Sequence, residues 1–277
     1  MELPGALSRR QLVPTPVMRR ALALALCLLS GLSLTGRAQR QVPLTSNRPG
    51  IGESESLVPE GAVQIEAGLT DARLGAGADR QHLLDFPEVT VRVGVSRRVE
   101  VFGSTAGLWL DRTAGAVDAH GGADVQLNTK IGLLASRRTL VSLAGGLSVP
   151  TGSGPFTSGG YDPSLRLLWS RALPGDWSLG GNVVLADTTV SAHKHAAATG
   201  ASLAAGHALV GPSAWFAEVF ATATRHDTVQ WRADGGLAIP CGTNCQVDVS
   251  GGRALTSTPR AWFLAAGITA RHLPHRH

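Results

Sequence analysis

"GAVQIEAGLT", residues 61 to 70, alternates residue by residue: Val63, Ile65, Ala67 and Leu69 share one face, and Gln64, Glu66 and Gly68 share the other. The pattern returns in "FPEVTVRVGV" (86 to 95), where Val89, Val91, Val93 and Val95 oppose Glu88, Thr90 and Arg92. It returns again in "DVQLNTKIGLL" (124 to 134), where Val125, Leu127, Ile131 and Leu133 oppose Asp124, Gln126, Asn128 and Lys130. A period of two is that of a strand with one apolar and one polar face. Continued along the chain, it predicts twelve strands, at 61 to 70, 86 to 95, 99 to 110, 122 to 135, 139 to 149, 161 to 172, 176 to 187, 199 to 209, 213 to 223, 229 to 240, 245 to 255 and 259 to 270.

The connections alternate in length. Tight links at 96 to 98, 136 to 138, 174 to 176, 211 to 212 and "CGTNC" (241 to 245) alternate with longer ones near 71 to 85, 111 to 121, 150 to 160 and 188 to 198. Short turns at one end and long loops at the other suit an outer-membrane barrel. A strand of 11 residues tilted near 40° reaches about 28 Å along the barrel axis, enough for the apolar band. A water-soluble sandwich alternates in the same way with the faces reversed. Six tryptophans bear on the choice: Trp109, Trp169, Trp177, Trp215, Trp231 and Trp262 fall on one parity and near strand ends. This predicts two outward aromatic girdles. Phe102, Leu108, Phe216 and Phe220 stand against it, on the parity assigned to the inside. The expected fold class is all-β: a closed antiparallel up-and-down transmembrane β-barrel of 12 strands.

Composition agrees with this class. Of the 277 residues 34 are Gly, and only 16% are charged against 43% hydrophobic. That argues against disorder, which needs low hydrophobicity and high charge. The formal net charge of +5 suggests nucleic acid, but Arg9, Arg10, Arg19, Arg20 and Arg37 lie in the first 38 residues, where Glu2 is the one acid. Without that stretch the net charge is about +1, so no nucleic-acid partner is expected. The stretch itself reads as an export signal: Arg19 and Arg20, then the apolar "ALALALCLLSGLSL" (21 to 34), then small residues at Gly36 and Ala38. Residues 1 to 38 are therefore expected to be a cleaved signal peptide, 39 to 60 a periplasmic leader or plug, 61 to 271 the barrel and 272 to 277 a tail. Cys241 and Cys245, the two cysteines beyond the signal, are expected to form a disulfide in an oxidising compartment.

"TSNRPGIGESESLVPEGAVQIEAGLT" (45 to 70) resembles the opening of the outer-membrane transporter family known as the MetA pathway of phenol degradation. The resemblance rests on Arg48, Pro49, Glu53, Ser54, Val58, Pro59, Gly61, Gln64, Glu66 and Gly68, with weaker matches at Asp124, Lys130, "VPTG" (149 to 152), Glu218 and Asp234. It departs at the end, where "GITARHLPHRH" replaces the terminal aromatic residue that family strands carry, and at the cysteine turn. The resemblance implies passage of small, hydrophobic or aromatic molecules across the outer membrane. The partners expected are the lipid bilayer, a small-molecule solute and the barrel assembly machinery, for a monomer without cofactor.

The polar face would line the lumen with Glu66, Glu88, Glu100, Asp124, Glu218, Asp234 and Asp248 against Arg92, Lys130, Arg166 and Arg232. Salt-bridged stabilisation of the interior and a cation-preferring path are both open readings of that set. His82, His120, His193, His195 and His226 fall in proposed loops and, lacking a third close ligand, give no metal site. "GSGPFTSGG" (152 to 160) lacks the Gly-Lys-Ser/Thr ending of a phosphate loop. A membrane hydrolase would need a serine beside His207, the one histidine inside a predicted strand, and its parity gives no clear serine partner. No catalytic residue is expected. A closed structural or surface-binding barrel is the alternative to transport.

Overall fold

The computed structural model describes residues 44–75, 80–113, 118–191, 194–209, 211–225, 228–256 and 261–274. The signal peptide expected at 1 to 38 and His193 and His226 lie outside the described residues. Fourteen strand segments form one antiparallel sheet: β1 (Val63–Leu74), β2 (Gln81–Gly94), β3 (Val99–Thr105), β4 (Leu108–Thr113), β5 (Ala119–Gly122), β6 (Val125–Ala135), β7 (Thr139–Val149), β8 (Asp162–Ala172), β9 (Trp177–Ser191), β10 (Lys194–Ala208), β11 (Ala214–Thr224), β12 (Gln230–Gly242), β13 (Cys245–Ala254) and β14 (Ala261–His272). β1 pairs with both β2 and β14, so the sheet closes on itself. β3 and β4 both pair with β2, while β6 and β5 continue alongside them. Each of these two couples is one barrel strand with a break, so the barrel has the twelve strands expected. Closure gives each of the twelve strands a partner on both sides, except along the short β5 stretch, which pairs with β4 alone, and so removes the unpaired backbone edge that lipid does not tolerate.

The polar parity faces inward. Gln64, Glu66, Arg92, Glu100, Asn128 and Lys130 are buried, whereas Ile65, Val91, Val101 and Leu127, each next to one of them in sequence, are exposed. A soluble sandwich would reverse this, so the lipid-facing choice follows from burial.

The break between β3 and β4 corrects two expectations, and the length of four other strands corrects a third. Between β3 and β4, Ala106 and Gly107 leave the ladder, and Gly107 adopts φ +82° against the backbone of Pro87. The parity changes across the break. Glu100 and Phe102 face in on β3, but Leu108 turns out, 60% exposed. Trp109 therefore turns in, its ring centroid 5.7 Å from that of Phe156, and it does not stand on the outward face predicted for it. Sequence parity counted straight through the break, which is why both residues were misassigned. The long loops near 71 to 85 and 188 to 198 are mostly strand, since β1, β2, β9 and β10 pair well past the predicted ends. At the other end the hairpin between β8 and β9 turns on Gly175 and Asp176, both left-handed at φ +70° and +60°. Two such residues are what a tight hairpin turn matched to strand twist requires.

Candidate functional site: the barrel interior and its amino-terminal segment

Residues 44 to 58 run inside the barrel, and the inward charges meet them one after another. Arg92 is fully buried: Nε donates to Glu100 Oε1 at 2.8 Å and Nη1 to Glu66 Oε1 at 2.9 Å. Of its remaining donors one goes to Glu100 Oε2 (3.1 Å) and the others to the carbonyls of Thr45 (3.2 Å) and Ser56 (2.9 Å), and Glu100 also accepts the Val58 amide at 2.7 Å. Asn47 N donates to Glu66 Oε2 at 3.1 Å. One network thus ties three strands to both ends of the segment. A buried ion pair holds only when its remaining donors and acceptors are also satisfied, and here the segment's backbone supplies those partners.

Glu53 sits between two cations, with Lys130 Nζ at 3.0 Å and Arg166 Nε at 2.9 Å. These are ion pairs without hydrogen-bond alignment at Glu53 Oε1 and Arg166 Nε. Lys130 Nζ donates instead to Ser54 O at 2.6 Å, and Arg166 Nη2 to Asn128 Oδ1 at 2.6 Å. Arg48 pairs with Glu88 and reaches Asp248 Oδ1 at 3.3 Å and Ala266 O at 3.0 Å. Glu218 Oε2 accepts the amides of Ile51 and Gly52, each at 2.9 Å. Asp234, opposite Glu218 in the ladder, has both carboxylate oxygens buried with no hydrogen-bond partner among the described residues.

The inward aromatic residues, unexpected on a polar face, now have a place. Lys130 Nζ lies 5.4 Å from the Phe102 ring centroid, and the Arg232 guanidinium 5.5 Å from that of Phe220. Cation–π contact of this kind keeps a ring in a charged interior favourable. Arg232 itself remains exposed. Beside Ile51 and Gly52 lies a cavity of about 240 Å³, walled by small residues of β9, β10 and β11 with Val184, Phe220, Asn182 and Ser202.

Asp124 does not face the mid-lumen network. It clamps the loop after β7: its carboxylate accepts Gly152 N and Ser158 N, each at 2.9 Å. Burial pushes that carboxyl up, but these two amide donors and the Thr157 and Ser158 hydroxyls outweigh it and hold it below the ordinary 3.8. Asp124→Ala should release the loop at a cost of about 2 kcal/mol. Limited proteolysis reads this out: new cleavage within 150 to 160 is expected, and unchanged resistance would refute the clamp.

On the outer wall Trp177, His207 and Trp215 are aligned across β9, β10 and β11 at the tight-turn end, with Trp177 4.7 Å from His207 and 5.7 Å from Trp215. Trp169 is on the outward parity at the same end, and Trp231 and Trp262, 45% and 47% exposed, stand outward at the other. His207 lies between two indoles, not beside a serine. His195 Nδ1 is 3.9 Å from Asp187 Oδ2, and no cluster of three His, Cys, Asp or Glu suited to a metal occurs among the described residues. Cys241 and Cys245 are joined as a disulfide across the β12–β13 turn.

A closed twelve-stranded barrel with a polar inside and an apolar outside defines an outer-membrane β-barrel protein. Its family follows from comparison: residues 46–272 match the model of the family described as the MetA pathway of phenol degradation, and the chain belongs to that family. The chain is similar to an outer membrane channel of Pseudomonas putida F1, with a TM-score of 0.60 and 14% identity over 81% of this chain and 99% of that one. It is also similar to the NanC porin (TM-score 0.51, 7% identity, 74% of this chain and 98% of that one). The KdgM porin in complex with disordered oligogalacturonate gives 0.50 and 7%, over 76% and 99%. No curated protein matches the chain. At these identities the structural likenesses speak for the fold.

Proposed function

We propose that this outer-membrane barrel is a channel for small, hydrophobic or aromatic molecules, exported by its cleaved amino-terminal signal and working as a monomer after insertion by the barrel assembly machinery. The segment from Thr45 to Glu60 acts as a plug that narrows the lumen. The observation that carries the reading is the cavity beside Ile51: Phe220, Val184 and Ile51 offer an apolar wall, while Asn182 and Ser202 offer polar atoms to a hydroxyl. Mostly apolar walls with a few placed polar groups are what a small-molecule site needs. The family's association with phenol degradation supports an aromatic solute. The three solved structures compared above are a channel and two porins, which supports a role without catalysis.

Liposome flux tests the reading. Vesicles containing the folded barrel should take up a monoaromatic alcohol faster than empty vesicles, and Phe220→Asp should slow that uptake several-fold. Uptake equal to that of empty vesicles would favour a closed structural barrel.

A further inference from the structure

The outer wall carries a row that the channel reading does not use. Arg253 on β13 is in register with Trp262 on β14, Trp262 with Arg73 on β1, Arg73 with His82 on β2, and His82 with Arg112 on β4. All five side chains share the outward face at the end away from the tight turns. Neighbouring strands lie about 4.8 Å apart, so the row spans about 19 Å.

Directly below it the same face is apolar. Leu264, Leu84 and Leu110 form the next row, interrupted by Asp71. Val249, Leu69, Phe86 and Leu108 follow, each 39% to 60% exposed. The basic row therefore sits on the upper edge of the lipid-facing band. Two acids offset it in part, leaving three arginines against two aspartates. Asp71 accepts Arg73 Nε at 3.1 Å and lies 2.9 Å from His82 Nε2, holding the two side by side, and Asp118 lies 3.5 Å from Arg112. Arg253 and both Nη nitrogens of Arg73 have no carboxylate partner among the described residues.

We propose that this face binds a phosphorylated glycolipid of the outer leaflet. Its headgroup phosphates are held by Arg253, Arg73 and Arg112, and its acyl chains lie on the leucine rows beneath. Arginine matches phosphate through paired donors, and Trp262 suits the boundary between acyl chain and headgroup. The long-loop end of such barrels faces outward, which puts the row at the outer leaflet. The span of the row fits a headgroup bearing more than one phosphate.

Native mass spectrometry of the purified, delipidated full chain would test this with a bisphosphorylated glycolipid, its dephosphorylated counterpart and inorganic phosphate as separate probes. The variants are the triple Arg73→Gln, Arg112→Gln, Arg253→Gln and a control, Arg137→Gln with Arg138→Gln, in an exposed tight turn. Wild type and control should retain the phosphorylated lipid, and the triple should hold it about a hundredfold more weakly, given the scale expected of three arginines at a charged lipid surface. Equal retention by the triple variant, equal retention of the dephosphorylated lipid, or binding of inorganic phosphate in place of the lipid would each overturn the proposal. Heat-modified gel mobility confirms that the compared proteins are folded.

Discussion

Arg92→Ala is expected to lower the stability of the barrel by about 3 to 5 kcal/mol. The guanidinium is fully buried and satisfies both Glu66 and Glu100, which are themselves buried. Removing it leaves two carboxylates close together, away from water, with no cation between them. The carbonyls of Thr45 and Ser56 lose their donors in the same step. Urea unfolding in lipid vesicles, followed by the gel mobility of the folded form, would measure the change. The combination of Arg92→Leu, Glu66→Gln and Glu100→Gln should recover much of the loss, because a neutral set does not strand a charge. An Arg92→Ala protein as stable as wild type would mean that water reaches these carboxylates and the network carries no load.

Gly52→Val should detach the amino-terminal segment from the β11 wall. A Cβ at Gly52 would collide with the Glu218 carboxylate and come within 3.1 Å of Ser202 Oγ and 3.2 Å of Asn182 Nδ2. The Glu218 carboxylate cannot simply move aside, because it is the acceptor for the Ile51 and Gly52 amides. Loss of those two charge-assisted bonds costs about 3 kcal/mol, roughly a hundredfold shift in the docked population. Planar-bilayer recording should then show larger single-channel conductance steps than wild type, and Gly52→Ala a smaller increase. Identical conductance in Gly52→Val and wild type would refute the plug.

The two variants bear on different layers. Arg92 belongs to the wall and the segment together, so its loss lowers the stability of the whole barrel. Gly52 belongs to the segment alone, and its replacement should leave the wall's stability nearly unchanged.

Alternation alone disclosed the strands, their number and which residues share a face, because a strand's side chains point to opposite faces whatever the tertiary context. That the polar face is the inner one rested on loop lengths, the tryptophans and the family resemblance, and burial decides it. Glu66, Arg92, Glu100 and Lys130 could be assigned to that face by parity. Trp109 and Leu108 could not. Parity is reset wherever a residue leaves the ladder, and Ala106 and Gly107 carry no strong signal that the ladder breaks there. Loop lengths misled at β1, β2, β9 and β10, where pairing continues beyond the apolar band into residues too polar to read as strand. The segment before β1 was legible as a leader or plug and by its family resemblance, but not in its contacts. That Glu53 stands between Lys130 and Arg166, and that Glu218 caps Ile51 and Gly52, depends on residues more than 70 positions apart. Pattern fixes which face a residue takes because that is set by its immediate neighbours. Which charge meets which is set by barrel closure and by the path of the segment within it, and the tertiary structure alone decides that.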